Sequence, residues 1–358
     1  MGCIYCSAQA DSLEHPLPAA FGEFRDAPLL ADRICTPCNN RRLGLLDEQL
    51  TRSGPEALLR RFYGIQGRAT HDTVNIFQRG SAGGHRVDLR SMDTALGYEV
   101  ALEIENGQAR QMCQIIFFEE SGKTHHLPIR KGSTPKELRA AYAKLGVVQP
   151  CDDMRIFYGP DEKDWVEALI QQAWPSVTFE AGKLGSTSYQ GAVGTVTLTN
   201  RYFRAVAKIG FHYFLTQFPE YTGGEEIFSG IRQFILDETA GVDSANAFIG
   251  KRQNALIREM LTPGMRPDGW RAHVLCAETR PGECVAYVQT FLSEDWPAPI
   301  YAVRLAQDEA ITDCRSTGHA YMYYPNGPEG KYAGETLKLE TTRAEWEPPP
   351  FAPVIMSA

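Results

Sequence analysis

The chain has 358 residues, a formal net charge of -8 and 43% hydrophobic residues. That length exceeds the usual single domain, so two domains, or one large domain with a small appendage, are expected. The acidic balance argues against a chain that coats nucleic acid by bulk attraction, while leaving room for a local basic surface on one module. No basic-then-apolar leader opens the sequence and no apolar run is long enough to span a bilayer, so a cytoplasmic protein without membrane contact is expected.

Residues 1–38 show little apolar periodicity and carry Pro16, Pro18, Gly22, Pro28 and Pro37. Loops and short strands of this kind cannot build a core unaided and need a metal staple. Cys3, Cys6, Cys35 and Cys38 supply one, as C-x2-C-x28-C-x2-C. A two-residue gap lets both thiolates of a pair reach one ion from a tight turn, and two such pairs complete a tetrahedral zinc site. Four thiolates close the coordination sphere, so this zinc holds the fold and leaves no open position for chemistry. A redox role for the pairs is the alternative, without a thioredoxin-like context to favour it. Cys113, Cys151, Cys276, Cys284 and Cys314 are scattered without ligand spacing and read as small apolar residues.

From Asn39 the pattern changes. Leu43, Leu46 and Leu50 give an apolar stripe at helical spacing, Ser53-Gly54-Pro55 stops that helix, and Glu56–Tyr63 reads as a second short one. A module boundary is expected between Gly64 and His71, followed by a Gly-rich loop around Arg79–His85 that lacks the frame of a phosphate loop. Tyr98–Glu105 and Gln114–Glu119 read as strands across an Asn106-Gly107 hairpin signal. Thr134-Pro135 caps a helix through Leu145, Asp161–Trp174 is a second amphipathic helix, and Thr195–Thr199 a strand. Arg201–Phe218 and Glu225–Leu236 are strong helices. Short strands follow at His273–Ala277, Cys284–Phe291, Ile300–Leu305 and His319–Tyr324, and Pro348–Pro350 mark a tail. No internal repeat is visible. The pattern predicts a small N-terminal zinc module over 1–66, a larger mixed α+β domain with antiparallel sheet over 67–345, and a Pro-rich tail over 346–358.

Between the cysteine pairs lie Ser12-Leu13-Glu14-His15-Pro16-Leu17-Pro18, and directly after Cys38 comes Asn39-Asn40-Arg41-Arg42. Glu14-His15 with Pro18, Cys35-x-x-Cys38-Asn39, the slightly displaced Gly44 and Asp47 together resemble the zinc-containing branch of the HNH endonuclease superfamily. The resemblance covers residues 1–50 and rests on the order of the motifs with zinc cysteines on both sides. It implies a ββα-metal module that hydrolyses phosphodiester bonds, with His15 as the general base. It also implies a catalytic Mg²⁺ or Mn²⁺ held by Glu14 and Asn39. The middle Asn of the family pattern has no clear equivalent, Asp32 being the residue in its neighbourhood.

The chemistry suits the residue types. A neutral imidazole takes a proton from water at cellular pH, a divalent ion acts as Lewis acid on the scissile phosphate, and oxygen ligands suit magnesium. Asn39 also reads as a helix N-cap, a duty that Asn40 can share. Asn40, Arg41 and Arg42 at a helix start can contact phosphates, or form a solvated face. Nothing here reads bases, so little sequence preference is expected.

Beyond residue 70 no motif ties to chemistry. His125-His126 is a poor ligand pair, because strand neighbours point to opposite faces. Arg201, Arg204 and Lys208 with interleaved aromatics can track a nucleic-acid backbone, but Tyr202, Ala205, Ile209 and Tyr213 read first as a core stripe. A sensor, target-binding or oligomerisation role stays open for this part. The expectation is therefore an HNH endonuclease acting on DNA ahead of RNA, with defence against foreign DNA as its candidate use. A homo-oligomer and a small-molecule or protein activator are further candidate partners. The alternative is a non-catalytic zinc-ribbon protein that binds nucleic acid or regulates.

Overall fold

The computed structural model describes residues 2–65, 88–93, 95–105, 108–119, 123–146, 153–179, 193–195, 198–239, 242–252, 270–293, 298–323 and 333–339. The chain forms two compact units, Met1–Arg86 with Thr197–Ala358, and Val87–Val196. The architecture is mixed α+β with antiparallel sheets and a cysteine cluster near the N-terminus.

The first unit opens with loops and three short strands, β1 (Leu13–Glu14), β2 (Glu23–Arg25) and β3 (Leu30–Ala31). β1 and β3 pair antiparallel. A π-helical turn, Cys38–Leu43, runs into α1 (Gly44–Arg52), and α2 (Pro55–Phe62) follows. Leu43, Leu46 and Leu50 are buried, as their spacing predicts. Pro55 at the first position of α2 needs no amide partner, which lets the second helix start directly after the Ser53-Gly54 break.

The second unit carries β4 (Asp88–Asp93), β5 (Tyr98–Glu105), β6 (Gln108–Gln111), β7 (Gln114–Phe118), β8 (Thr124–Pro128), α3 (Pro135–Ala143), β9 (Asp153–Phe157), α4 (Lys163–Ala173) and β10 (Val193–Thr195). Its sheets are ordered β10-β4-β5-β6 and β8-β7-β9. The hairpin partner of β5 is β6, whereas the apolar run at Gln114, expected as that partner, leads the second sheet. Thr134 and Glu137 form a reciprocal capping box at the start of α3. Of the strand expected over Thr195–Thr199, Thr195 belongs to β10, residues 196–197 lie outside the described residues, and Thr199 precedes the next helix.

The first unit resumes with α5 (Asn200–Gln217), α6 (Ser229–Leu236), α7 (Val242–Phe248), β11 (Ile249–Arg252), β12 (Arg271–Arg280), β13 (Gly282–Ser293), β14 (Ile300–Asp308), β15 (Arg315–Tyr323) and β16 (Ala333–Leu339). These strands form a sheet ordered β11-β14-β13-β12-β15-β16-β2. All neighbours are antiparallel except β2, which joins the edge parallel to β16. α5 is buried over fourteen of its eighteen residues, as expected of a helix apolar on nearly every side. It lies between the sheet strands β12, β13 and β14 and the N-terminal elements α1 and β3. Gly210 permits the close approach: a Cβ there would sit 3.0 Å from Val303 Cγ2 and 3.2 Å from Ala286 Cβ.

The N-terminal segment is therefore part of a larger core. Phe21, Ile34, Leu43 and Leu46 share one buried cluster with Phe203, Phe211 and Tyr213 of α5. The core reading of α5 holds, with Arg204 and Lys208 buried and Arg201 half-buried. Among the described residues no helix is long and apolar enough to cross a membrane. The expected boundary at Gly64–His71 lies outside the described residues beyond Ile65, as do the Gly-rich loop, Cys151 and the Pro-rich tail.

Candidate functional site

Two tight turns build the cysteine cluster. Cys6 N–H donates to Cys3 O at 3.3 Å, and Asn39 N–H to Cys35 O at 3.0 Å, so each pair presents both thiols to one side. Cys6 Sγ lies 3.5 Å from Cys35 Sγ and 3.6 Å from Cys38 Sγ, and all four sulfurs fall within 4.8 Å of one another. Tetrahedral zinc with bonds of about 2.3 Å needs sulfurs about 3.8 Å apart. The four cysteines are thus positioned to bind a metal ion, and the donor set suits zinc. Cys3, Cys35 and Cys38 are buried and Cys6 is exposed.

Beside this cluster lies a buried polar network that the local motifs do not reveal. Tyr5, between Cys3 and Cys6, is hydrogen-bonded through Oη to His212 Nε2 at 2.8 Å. His212 Nδ1 faces Glu14 Oε1 at 3.5 Å. Lys208, one turn earlier on α5, places Nζ 2.5 Å from Glu14 Oε1, and donates to Asp47 Oδ1 at 2.7 Å and Oδ2 at 2.8 Å. Burial works against ionisation of Glu14, but the Lys208 ammonium and His212 outweigh it and bring the carboxyl down to about 2. For Lys208, burial is likewise outweighed, by Asp47 and Glu14, and its pKa is raised. Asp47 goes the other way: burial lifts it to about 6 although Lys208 pulls it down. Burial holds the His212 imidazole below its ordinary value, so it is neutral.

Glu14, expected on an open catalytic ion, is consequently a buried carboxylate held by Lys208. The physical reason is the strand: β1 turns Glu14 inward toward α5, with Leu13 exposed. His15 follows, half-buried, on the wall of a cleft of about 310 Å³. Pro16, Leu17, Phe24, Pro28 and Tyr321 line the same cleft. Phe21, which precedes the cleft residue Gly22, is tied into the sheet by a relay. Phe291 N–H donates to His273 Nδ1, His273 is hydrogen-bonded to Tyr323 Oη, and Tyr323 Oη donates to Phe21 O. With Nδ1 accepting, the His273 proton sits on Nε2. Burial pushes His273 down to about 3.

Asn39 is half-buried inside the π-helical turn, not ahead of the helix, so it is not the N-cap; Asp11 Oδ1 instead accepts the Thr36 N–H at 2.7 Å. Asn40, Arg41 and Arg42 are exposed on the same turn. Such turns are rare and recur at functional sites. Asp32 is exposed, with a left-handed φ of 54° in the turn after β3. In the second unit His125 and His126 diverge, as strand neighbours should: His125 Nε2 lies 2.6 Å from Glu119 Oε1, and His126 Nδ1 3.0 Å from Gln114 Oε1. Cys113, Cys276 and Cys284 are buried, and Cys314 is exposed.

The structure therefore brings together the four cysteines, and joins Glu14 to Asp47. Reading the sequence locally missed Lys208, His212 and Tyr5. A signal existed, because Arg204, Lys208 and His212 repeat every four residues on a helix otherwise apolar all round. No family model matches this chain, and neither a curated protein nor a solved structure matches it.

Proposed function

We propose that the chain is an HNH-type endonuclease that hydrolyses DNA phosphodiester bonds, with His15 as general base and a zinc ion on Cys3, Cys6, Cys35 and Cys38 as scaffold. The observation that carries this reading is the placement of His15. It follows a Glu14 locked in the interior, so its imidazole is held at the wall of an open cleft. There a neutral imidazole takes the proton of an attacking water as the water oxygen bonds to phosphorus and the P–O3′ bond breaks. Asn40, Arg41 and Arg42, exposed on the π-helical turn, contact backbone phosphates and carry no base selectivity.

In such enzymes a bound Mg²⁺ or Mn²⁺ supplies Lewis acidity toward the phosphate and the leaving oxygen. Asn39 offers it an amide oxygen, but the Glu14 carboxylate is taken by Lys208 and does not fit as its ligand. The proposed step therefore rests on His15. A regulatory role for the rest of the chain, and use against foreign DNA, belong to the same proposal.

Plasmid nicking with Mg²⁺ or Mn²⁺, comparing wild type with His15→Ala, tests it. Nicking that drops by about two orders of magnitude or more in the variant supports general-base catalysis. Equal cleavage by both proteins, or none by folded, zinc-loaded wild type, overturns it. The engaged Glu14 favours one second reading, a zinc-bearing protein that binds or regulates without cleavage. DNA retention on a gel without nicking is the outcome that would select it.

A further inference from the structure

We propose that the Lys208 ammonium is the resident cation of the Glu14–Asp47 carboxylate pair, and that it occupies the Glu14 carboxylate which the sequence motif assigns, with Asn39, to a divalent metal ion. This rests on reading Glu14-His15 as the hydrolytic dipeptide, and it makes Lys208 a positioning residue supplied from α5.

Three carboxylate oxygens surround one nitrogen, Glu14 Oε1 at 2.5 Å and Asp47 Oδ1 and Oδ2 at 2.7 and 2.8 Å. The ammonium donates to both oxygens of Asp47 and holds Glu14 Oε1 as an ion-pair partner, so both carboxylates are spent on one cation. Among the described residues, the titratable groups facing the cation are Glu14 from β1, Asp47 from α1, and His212 from its own helix, with Tyr5 behind His212. Two carboxylates and one ammonium leave a single net negative charge, with His212 neutral.

A divalent ion at Glu14 would have to expel this ammonium. Lys208 is 0% exposed and rooted in a helix with fourteen buried residues, so its side chain has no open space to swing into. An ammonium left buried without its carboxylates is itself strongly unfavourable. Ion and ammonium also demand different spacings. Carboxylate oxygens sit about 2.0–2.6 Å from Mg²⁺ or Ca²⁺ but about 2.7–2.9 Å from a charged nitrogen. The distances to Asp47 belong to the second kind.

The test uses the full chain loaded with zinc, and Mn²⁺ binding followed by electron paramagnetic resonance. Wild type and Glu14→Gln should bind Mn²⁺ equally. Lys208→Met vacates the pair and should gain a Mn²⁺ site, tighter than wild type by on the order of tenfold, which the added Glu14→Gln change removes. Acetylation of lysines, read by mass spectrometry on wild type, should leave Lys208 protected with and without Mg²⁺. The proposal is overturned by any of three results. These are Mn²⁺ binding to wild type that Glu14→Gln weakens by on the order of tenfold, Mg²⁺-dependent labelling of Lys208, or a folded Lys208→Met that gains no site. If Lys208→Met does not fold, the Glu14→Gln comparison and the labelling decide. Absence of nicking in every form would sink the nuclease reading alone, because none of these readouts needs activity.

Discussion

Tyr5, set between the first two cysteines, is hydrogen-bonded to His212 across 207 residues of sequence at 2.8 Å. The cysteine cluster is therefore tied directly to the most buried helix of the first unit, and both should respond together.

Chelation of zinc, or Cys38→Ser, should remove one metal per chain by elemental analysis and lower the thermal midpoint of the first unit. Zinc bound to such sites contributes on the order of 10 kcal/mol, here added to the packing of the N-terminal segment against α5. Hydrogen exchange should rise at β1, β3, α1 and the facing side of α5, with β7, β8 and β9 unchanged. Unaltered exchange at β1 after metal loss would refute a structural role.

Lys208→Met should destabilise by about 3–5 kcal/mol, because it strands the buried Glu14 carboxylate and leaves the half-buried Asp47 without its cation. Pairing it with Glu14→Gln and Asp47→Asn should recover a large part of that loss. Urea midpoints of the single and combined variants measure the coupling, and simple additivity would count against a shared network.

His273 sets a pH dependence. In the folded chain its pKa is lowered from 6.5 to about 3, so below about pH 6.5 the unfolded state binds more protons. Stability from this group is complete above that pH and falls as pH drops toward 3, by at most about 1.4 kcal/mol per unit. Glu14 acts in the same direction further down, between 4.5 and about 2. The urea midpoint should therefore fall less steeply on acidification in His273→Gln than in wild type. Parallel slopes for the two proteins would contradict this.

Gly334→Ala should loosen the sheet edge. A Cβ at that position would collide with Met322 O and sit 2.5 Å from Phe24 Cδ1, so either the β15–β16 pairing or the seat of β2 must shift. A loss of about 1–3 kcal/mol is expected, with faster exchange at β2 as the local readout. Wild-type stability in the variant would mean the edge gives way without cost.

Much of this fold was legible because its signals are local. The cysteine turns need only four consecutive residues each, the Leu43-Leu46-Leu50 stripe sits within three turns, and Thr134-Pro135 caps its own helix. The β12–β15 strands announce themselves as apolar runs because both faces of that sheet are buried. What local reading missed was long-range. The role of Glu14 depends on Lys208, and nothing within ten residues of Glu14 reports an ammonium carried by a distant helix. Burial sets the Glu14 carboxylate against the Lys208 ammonium. Similarly, Asn39 looked like a cap because the apolar stripe begins after it, whereas Asp11 supplies the capping oxygen from a separate loop.

The parallel seam between β2 and β16 also sets a schedule for synthesis. Glu23 pairs with Ala333, about 310 residues later. At roughly 5–20 residues per second on the ribosome, the N-terminal strand waits on the order of tens of seconds for its partner. The cysteine turns can capture metal early in that interval, while Phe24 and the cleft wall have no sheet to rest on until β16 emerges. Newly made chains should therefore pass through a metal-loaded but edge-open stage, in which the apolar side of β2 is a target for chaperones.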